Sequence, residues 1–431
     1  MFYNICKNFR IVQYKGNKKA EYIGYNSATG KEYLFNMATY LLIKYVNDNV
    51  LNSKSELYKC GRKYSFSSQE LIDRLLEEKI IFENDRKEKN VNIVAFRKCK
   101  YPLTKLSIEI TNACNLNCIH CYGKFGKTNN IQAYTFDDIV NLKHSLDILH
   151  TNNIALTGGE VLTNPDFETI ALFFLENGFK LTIFTNGFNT KQLKKFLDKS
   201  TKYKYRISIS CDGNEPVHNN IRGNKEAYEN LLNTLNMLKK YSNVDVSIST
   251  TVMKNNIYVI NELSEFLNEN FAYAEHYKGI VLPSNDKDLE VIGFKVEEFN
   301  TLYQECPSVF DVPDVNKRLR CSGGVAGAAL CADGILKICS AAPTDEKFII
   351  GNIKELPLEY IWNHPNEYIR KYRLEKNGTQ TECKKCKSRK NCKSKNCRLY
   401  AYAYYKNIKS ASPIACYITK LNDKGIKDEQ E

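Results

Sequence analysis

The stretch CNLNCIHC, residues 114–121, sets three cysteines close together directly after the strand-like run LSIEIT at 106–111. Zinc sites usually take four nitrogen or sulfur ligands, whereas Cys114, Cys118 and Cys121 supply three thiolates. Three thiolates suit an iron–sulfur cluster with one iron left open to another ligand. His120, in the same loop, is the alternative fourth ligand of a closed structural site. The loop directly follows a predicted strand, and parallel α/β barrels place their active sites at the carboxyl ends of their strands. We therefore favour an active-site cluster with an open iron over a closed structural site.

The composition around this loop is that of an intracellular protein. The chain has 431 residues, 16 cysteines and a formal net charge of +13. Its first residues lack an apolar signal core, and no run approaches the roughly 20 apolar residues that span a bilayer. We therefore expect a soluble, cytoplasmic protein without a membrane partner. In a reducing compartment, clustered cysteines indicate metal ligands or reactive thiols rather than disulfides.

The middle of the chain alternates β-rich runs with amphipathic stretches, from Lys105 to about Leu282. The six runs are KLSIEI, NIAL, KLTIFT, YRISIS, VDVSISTTV and GIVL. Such alternation predicts an α/β fold with a parallel sheet, here a partial, open, TIM-like (β/α)6 barrel. Thr135 with Asp138 predicts an N-cap for the first helix of this barrel.

The first 82 residues predict a small separate unit. AEYIGYNSATGKEYLF alternates around a turn at Thr29 and Gly30, as a hairpin would, and a helix should follow from Asn36. Ser67 and Glu70 form a capping-box pattern before another helix. The charged segment 83–92 suits a linker. The predicted organisation is a first unit at 1–82, a linker at 83–100, a barrel at 101–305 and a cysteine-rich domain at 306–431.

Nine cysteines lie from Cys306 to Cys416, both included, which predicts a domain that bound metal holds together. Two structural zinc sites are the alternative, since sets made only of cysteine suit zinc equally well. Four further cysteines have no partner spacing, and we predict that they are small buried hydrophobes: Cys6, Cys60, Cys99 and Cys211. For Cys211, at a predicted strand end, a hydrogen-atom donor is a second interpretation.

The cysteine loop, with TGGE at 157–160, SISCDG at 208–213 and HNNIRG at 218–223 in this order, resembles the radical S-adenosylmethionine (SAM) enzymes. The resemblance implies that Cys114, Cys118 and Cys121 hold a catalytic [4Fe–4S] cluster whose free iron chelates SAM. It also implies the cofactor-binding residues, which are Gly158, Gly159 and Glu160 at the SAM ammonium, Arg222 at its carboxylate, Ser208 or Ser210 at its ribose, and His120 and Tyr122 in the loop. TNG at 185–187 is interpreted as a strand-end turn.

The carboxy-terminal cysteines are similar in spacing to the SPASM domain, an extension of radical SAM enzymes that usually carries two auxiliary [4Fe–4S] clusters. IGNI at 350–353 and YIW at 360–362 also match. The resemblance implies one cluster on Cys321, Cys339 and Cys397, with Cys331, Cys306 or an open iron as the fourth position. It implies a second cluster on Cys383, Cys386, Cys392 and Cys416.

The whole layout looks most like the sactipeptide and ranthipeptide maturases, which form thioether links between a cysteine sulfur and a carbon of a ribosomally synthesised precursor peptide. In that resemblance, the first unit is a winged-helix-like precursor-recognition domain that binds the leader as an added strand. A ferredoxin or flavodoxin would supply electrons. A nucleic-acid module is disfavoured, because SQELIDRLLEEK at 68–79 is mixed in sign.

Other reactions stay open for the same set of motifs. SPASM peptide enzymes also form carbon–carbon or ether bonds, epimerise residues or decarboxylate a terminal tyrosine. Sulfatase maturation is less favoured, because Ser340 rather than an aspartate follows Cys339. A non-catalytic iron–sulfur electron carrier is a third class, but such a protein would not need the TGGE and HNNIRG motifs that this sequence contains.

Overall fold

The computed structural model describes residues 1–17, 20–64, 68–93, 99–127, 129–310, 321–374, 381–390, 392 and 397–428 of the 431-residue chain. Three antiparallel strands and three helices form most of the first unit, and a further strand pair joins its two ends. The elements are β1 (Phe2–Ile5), β2 (Phe9–Asn17), β3 (Ala20–Asn26), β4 (Glu32–Phe35), α1 (Met37–Asp48), α2 (Lys54–Tyr64), α3 (Ser68–Glu77) and β5 (Ile81–Asn84). Strand β1 pairs with β5.

The predicted hairpin and first helix are confirmed. β3 pairs with β4 across a turn in which Gly30 has a φ of +72°, a conformation that glycine adopts without a side-chain clash. Asn36 caps α1 by accepting a hydrogen bond from the Thr39 amide. The helix after the predicted capping box is present as α3, whereas Ser67 itself lies outside the described residues.

The segment predicted as a linker is packed on the first unit over residues 83–93. Its start belongs to β5, and Asn90 is buried. The Asn90 amide nitrogen donates to the Phe9 carbonyl at 2.7 Å, and its backbone N–H donates to Asn47 Oδ1 at 2.8 Å. Asparagine side chains hold this stretch by hydrogen bonds to backbone N–H and carbonyl groups. Composition and apolar periodicity do not reveal such contacts. The unit boundaries otherwise stay a prediction.

The barrel has the six parallel strands that the sequence predicts, in the order β11-β10-β9-β8-β7-β6. The strands are β6 (Lys105–Thr111), β7 (Asn153–Gly158), β8 (Lys180–Thr185), β9 (Tyr205–Ser210), β10 (Val244–Val252) and β11 (Glu275–Ile280). The helices are α4 (Phe136–Ile148), α5 (Phe167–Glu176), α6 (Thr190–Lys199), α7 (Glu215–Arg222), α8 (Ala227–Leu238) and α9 (Ile260–Asn270). Thr135 and Asp138 form the predicted capping box of α4.

The sixth strand differs in position from its prediction at residues 279–282. Strand β11 begins at Glu275 and ends at Ile280, and it alternates between exposed and half-buried residues. It lies at the edge of the sheet, where one row of side chains faces solvent. A search for apolar runs therefore finds only the end of this strand.

The carboxy-terminal domain continues the barrel sheet. Strand β12 pairs in parallel with β6, and β13 and β14 follow in antiparallel pairing, which gives one nine-stranded sheet. The remaining strands and helices are α10 (Asp286–Val291), α11 (Phe299–Glu305), β12 (Gly327–Leu330), β13 (Ile335–Lys337), β14 (Ile349–Asn352), α12 (Leu358–Asn363), α13 (Glu367–Leu374), α14 (Thr381–Lys385), α15 (Arg398–Tyr405) and α16 (Pro413–Asp428). Within the described ranges, no helix combines the length and apolar character that crossing a bilayer requires.

The first unit is docked on the barrel through a buried arginine. Arg10 of β2 is fully buried, and its Nη2 lies 2.8 Å from Asp147 Oδ1, at the end of α4. Its Nε donates to the Thr151 carbonyl at 3.0 Å, and its guanidinium lies 3.9 Å from the Phe179 ring centroid. These partners precede β7 and β8. The first unit therefore contacts the amino-terminal ends of barrel strands, opposite the cysteine loop that follows β6.

Replacing Asp147 by asparagine should lower the free energy of unfolding by about 3 kcal/mol, because it leaves the buried Arg10 guanidinium without its carboxylate. Urea denaturation measures this change. Asp198→Asn is the matched control, since Asp198 is half exposed and its pair with Lys194 lies on the surface. Equal midpoints for Asp147→Asn and the unmodified chain would show that Arg10 does not need this ion pair.

Candidate active site

The cysteine loop follows β6 and is held by the end of α7. The Asn117 N–H donates to the Arg222 carbonyl at 3.2 Å, and the Ile119 N–H donates to the Ile221 carbonyl at 3.0 Å. Burial, with smaller contributions from Glu160 and from the Cys118 and Cys121 thiols, raises the pKa of the Cys114 thiol to about 12. The structure thus brings the three predicted thiols into one half-buried region at the carboxyl end of the first barrel strand.

The two glycines of TGGE lie directly against the backbone that leads into this loop. The Gly159 N–H donates to the Thr111 carbonyl at 2.9 Å. A Cβ at Gly158 would lie 2.1 Å from the Thr111 oxygen, and one at Gly159 would lie 2.2 Å from the Ala113 oxygen. Gly158 also has a φ of +143°, which other residues rarely adopt. Because neither glycine has a side chain, the carboxyl end of β7 can approach the cysteine loop closely.

Gly159→Ala should therefore displace the backbone before Cys114 and reduce SAM affinity at least tenfold, the usual scale for losing support of a site. Isothermal titration of SAM into the cluster-loaded enzyme measures this loss. Gly279→Ala is the control for an added methyl group near the site, because Gly279 lines the cavity described below but a Cβ there would meet nothing within 4 Å. Unchanged SAM affinity in Gly159→Ala would contradict the account of this contact.

Glu160 is buried, and its carboxylate is held by three donors. Oε1 accepts from the Leu162 N–H at 3.1 Å and from Thr185 Oγ1 at 2.8 Å, while Oε2 accepts from the Asn186 N–H at 2.7 Å. Burial raises the pKa of Glu160, although these hydrogen bonds oppose the shift. The Glu160 carboxylate therefore fixes the carboxyl end of β8, in addition to any contact that it makes with SAM.

TNG is a turn, as the sequence predicts, and it is also part of the site. Gly187 has a φ of +76°. Asn186 Nδ2 donates to Asn115 Oδ1 at 2.8 Å, within the cysteine loop. Sequence reasoning missed Asn186 as a site residue. Its position directly after β8, at the same sheet end as the cysteine loop, is the signal that could have identified it.

Arg222 lies between the cysteine loop and a buried aspartate. Its Nη2 is 2.6 Å from Asp212 Oδ2, and its Nη1 is 3.7 Å from Cys118 Sγ. Burial alone would raise the pKa of Asp212, but the Arg222 charge reverses the effect and the pKa is lowered. Asp212 was not among the predicted site residues, although it stands beside the serines of the same SISCDG motif.

The two candidate ribose contacts lie on one face of β9. Ser208 is buried, and its Oγ lies 2.9 Å from Ser249 Oγ. Ser210 is half-buried at the carboxyl end of the strand. Of the two, Ser210 is the more accessible hydroxyl.

His120 and Tyr122 face a cavity beside the loop. His120 Nε2 lies 4.0 Å from Asp212 Oδ2, and burial lowers the pKa of His120 to about 4. Tyr122 donates to Glu109 Oε1 at 3.0 Å. The cavity measures about 740 Å³ and lies between the barrel and the carboxy-terminal domain. Its lining includes Glu109, His120, Tyr122, Thr250, Tyr277, Cys331, Lys337, Leu399 and Tyr402.

Three of the predicted auxiliary-cluster cysteines are brought together. Cys321 and Cys339 both influence the Cys397 thiol, whose pKa burial raises to about 11. All three thiols also act on Tyr372, which Arg398 covers at 4.0 Å from the ring centroid. The three come from the segment before β12, the end of β13 and the start of α15.

The two candidates for the fourth position lie elsewhere. Cys331 lines the cavity beside Glu109, and burial raises the pKa of its thiol to about 12. Cys306 is buried with Phe299 and Phe310, and its Sγ lies 3.7 Å from Ser308 Oγ. The fourth position therefore stays a prediction, with Cys331, Cys306 or an open iron as the candidates.

The second predicted set is only partly connected in the described residues. The Cys386 N–H donates to the Cys383 carbonyl at 3.4 Å. Thr419 of α16 donates to Cys392 Sγ at 3.3 Å, one turn after Cys416 on the same helix. Among the described residues, no three His, Cys, Asp or Glu side chains are grouped so as to hold a metal ion.

The four cysteines outside the cluster patterns of the sequence behave partly as predicted. Cys99 and Cys211 are buried, whereas Cys6 and Cys60 are half-buried against the core of the first unit. The Cys211 thiol donates to the Gly213 carbonyl at 3.8 Å.

Two stretches of the chain match known families. Residues 108–267 match the radical SAM superfamily, and residues 321–387 match the SPASM iron–sulfur cluster-binding domain. The first match includes the cysteine loop, TGGE and Arg222. The second begins at Cys321 and includes Cys339. The three thiolates of the loop fit an iron–sulfur cluster by their chemistry and by their shared place in one loop at the end of β6.

Relatives and solved structures extend these matches. The antilisterial bacteriocin subtilosin biosynthesis protein AlbA of Bacillus subtilis (strain 168) is 25% identical over 277 residues, which are 60% of this chain and 59% of that protein. The AdoMet-dependent heme synthase of Methanosarcina barkeri (strain Fusaro) is 27% identical over 344 residues, which are 72% of this chain and 95% of that protein.

The structure of Streptococcus suis SuiB bound to its precursor peptide SuiA superposes with a TM-score of 0.62, at 15% identity over 96% of this chain and 100% of that chain. At this identity the likeness shows the fold. It bears out the predicted partial barrel. Together with the two family matches and the thiols at the end of β6, these findings lead to one conclusion: the chain contains a radical SAM domain and a SPASM domain, which imply SAM and [4Fe–4S] clusters as cofactors.

Proposed function

We propose that this enzyme is a peptide maturase that forms thioether links between cysteine sulfurs and carbons of a ribosomally synthesised precursor peptide. The observation that carries the proposal is the cavity of about 740 Å³ that joins the cysteine loop to the SPASM domain. His120 and Tyr122 line it on the loop side, and Leu399 and Tyr402, which follow Cys397, line it on the other. A substrate in this cavity would contact both regions at once.

The chain's own residues fix the carboxy-terminal domain on the barrel beside this cavity. Tyr400 of α15 donates to the Ile280 carbonyl at the end of β11, and Tyr404 donates to the Phe294 carbonyl at 2.6 Å. Trp362 is fully buried and donates to the Tyr101 carbonyl at 2.6 Å. These contacts fix the SPASM domain on the barrel, and a peptide that enters the cavity would displace water from it.

When bound, the loop cluster and SAM would supply a 5′-deoxyadenosyl radical able to take one hydrogen atom from a substrate carbon. Formation of the carbon–sulfur bond would also release the thiol proton and one electron, and the auxiliary cluster would be the acceptor of that electron. Cys114, Cys118 and Cys121 would hold that cluster. Gly158, Gly159, Glu160, Arg222 and Ser210 would bind and orient SAM. The Cys321, Cys339 and Cys397 group would hold an auxiliary cluster on the other side of the cavity, near the sulfur that forms the new bond. A ferredoxin or flavodoxin would be the electron donor.

The first unit supports a peptide rather than a small molecule as substrate. In its sheet, β4 pairs on one side only, with β3, in the described part of the chain. Such an edge can accept an added strand, which reads the backbone of a leader peptide. AlbA acts in the biosynthesis of a bacteriocin, and SuiB is bound to a precursor peptide. The heme synthase shows that related chains also act on other substrates, so the thioether reaction is the finer part of the proposal.

Anaerobic co-expression with a short cysteine-containing peptide encoded beside the gene tests the proposal. High-resolution mass spectrometry should show a loss of two hydrogens for each link, and the linked cysteines should resist alkylation. Loss of two hydrogens with every cysteine still alkylated would mean a carbon–carbon or other link. An unchanged mass, with the enzyme loaded and cleaving SAM, would contradict the proposal.

A further inference from the structure

Arg222 has more hydrogen-bonding capacity than its partners use. A guanidinium offers five N–H donors in a planar fork. Nη2 faces Asp212 at 2.6 Å, and Nη1 faces Cys118 Sγ at 3.7 Å. Arg222 Nε is buried without a partner in the part of the chain that the structure describes. The guanidinium is thus held at one end and has a free donor for a further anion.

Asp212 is itself fixed from several directions. Its Oδ1 accepts from the Thr251 N–H at 3.0 Å, at the end of β10. Its backbone N–H donates to His218 Nδ1 at 3.1 Å, and its carbonyl accepts from Asn256 Nδ2 at 2.8 Å. The side chain of Asp212 has no solvent exposure. Because Thr251 holds the Asp212 carboxylate and two further hydrogen bonds hold its backbone, this carboxylate can set the position of Arg222.

We propose that Asp212 is a positioning residue of the SAM site, which holds the Arg222 guanidinium against Cys118 and leaves Nε free to bind the SAM carboxylate. This inference rests on the proposed role of Arg222 within the proposed function. An arginine side chain has many rotamers, and pairing it in advance reduces the entropy lost when SAM binds. The geometry also places the positive charge of Arg222 next to a thiol of the cluster loop.

The purely structural alternative is that Asp212 neutralises a buried cation and does nothing more. Asp147 provides the matched comparison, because it pairs with the buried Arg10 at 2.8 Å at the opposite end of the barrel. Asp212→Asn and Asp147→Asn both remove the carboxylate charge from an arginine whose side chain is at most 8% exposed. Only the first should alter recognition of the SAM carboxylate.

The test measures dissociation constants of SAM and of decarboxylated SAM for the cluster-reconstituted full chain. For Asp212→Asn we expect at least a tenfold weaker affinity for SAM, the usual scale for a supporting residue. Its affinity for decarboxylated SAM should be nearly unchanged, and the change that SAM causes in the EPR spectrum of the reduced cluster should be diminished. Asp147→Asn should bind both ligands as the unmodified enzyme does.

Equal losses for the two ligands, or no loss for SAM, would overturn the positioning role. If Asp212→Asn fails to fold, Asp212→Glu keeps the charge and shifts it by one methylene, and it should show the same ligand-specific loss to a smaller degree. Adding Asp212→Asn to Arg222→Lys should weaken SAM binding no further, because the carboxylate then has no guanidinium to position. None of these measurements uses a peptide, so a failure of the peptide proposal would appear separately.

Discussion

Replacing Cys114, Cys118 and Cys121 together by alanine should reduce SAM cleavage to background and remove about four irons per chain. These three thiols are the cysteine donors that the loop offers to a cluster, and all three are half-buried. Iron analysis and chromatography of 5′-deoxyadenosine after reduction measure the two effects. The fold should persist, because the loop is also held through backbone hydrogen bonds to the end of α7.

Cys60→Ser is the control, with unchanged iron and unchanged SAM cleavage expected. A triple variant that still forms 5′-deoxyadenosine would contradict the assignment of the loop. An electron carrier built on this fold would behave differently again, since it would keep most of its electron transfer on the carboxy-terminal clusters.

Cys397→Ala should separate SAM cleavage from peptide modification. Cys397 is grouped with Cys321 and Cys339, and the helix that follows it lines the cavity. Losing this cluster should remove about four irons per chain and abolish the linked peptide, while 5′-deoxyadenosine still forms. Mass spectrometry of the peptide and chromatography of the nucleoside, from the same reaction, measure both outcomes.

Cys331→Ser is the matched control for iron content. Its thiol lies beside Glu109 in the cavity rather than with the other three. The variant should therefore retain all its iron. A loss of iron in Cys331→Ser would restore it as the fourth ligand, and linked peptide formed by Cys397→Ala would contradict the role of that cluster.

The sequence predicts the barrel well because its first five strands each carry a row of buried, β-rich apolar residues. Runs such as KLTIFT and YRISIS are short, β-rich and separated by amphipathic helices, which is the pattern of a parallel sheet. Strand β11 departs from that pattern because it is an edge strand with exposed residues. Segment 83–93 departs from it because asparagine side chains, rather than apolar contacts, hold it in place.

The site is predictable to the extent that its residues are close in sequence. Cys114, Cys118 and Cys121 share one loop, and their spacing alone suggests a cluster. The pairing of Asp212 with Arg222 depends on how the end of β9 meets the end of α7, and the hydrogen bond from Asn186 to Asn115 depends on how two strand ends meet. Neither depends on spacing along the chain. The positions of Cys331 and Cys306 likewise required the tertiary structure.

Deuterium transfer from the peptide to 5′-deoxyadenosine tests the central claim most directly. The precursor peptide is prepared with deuterium at its non-exchangeable positions and incubated with the reduced, cluster-loaded enzyme and unlabelled SAM. The account predicts that the nucleoside gains one deuterium for each link formed, with the peptide losing the corresponding label. Linked peptide accompanied by unlabelled 5′-deoxyadenosine would contradict hydrogen abstraction from the peptide, and with it the proposed function.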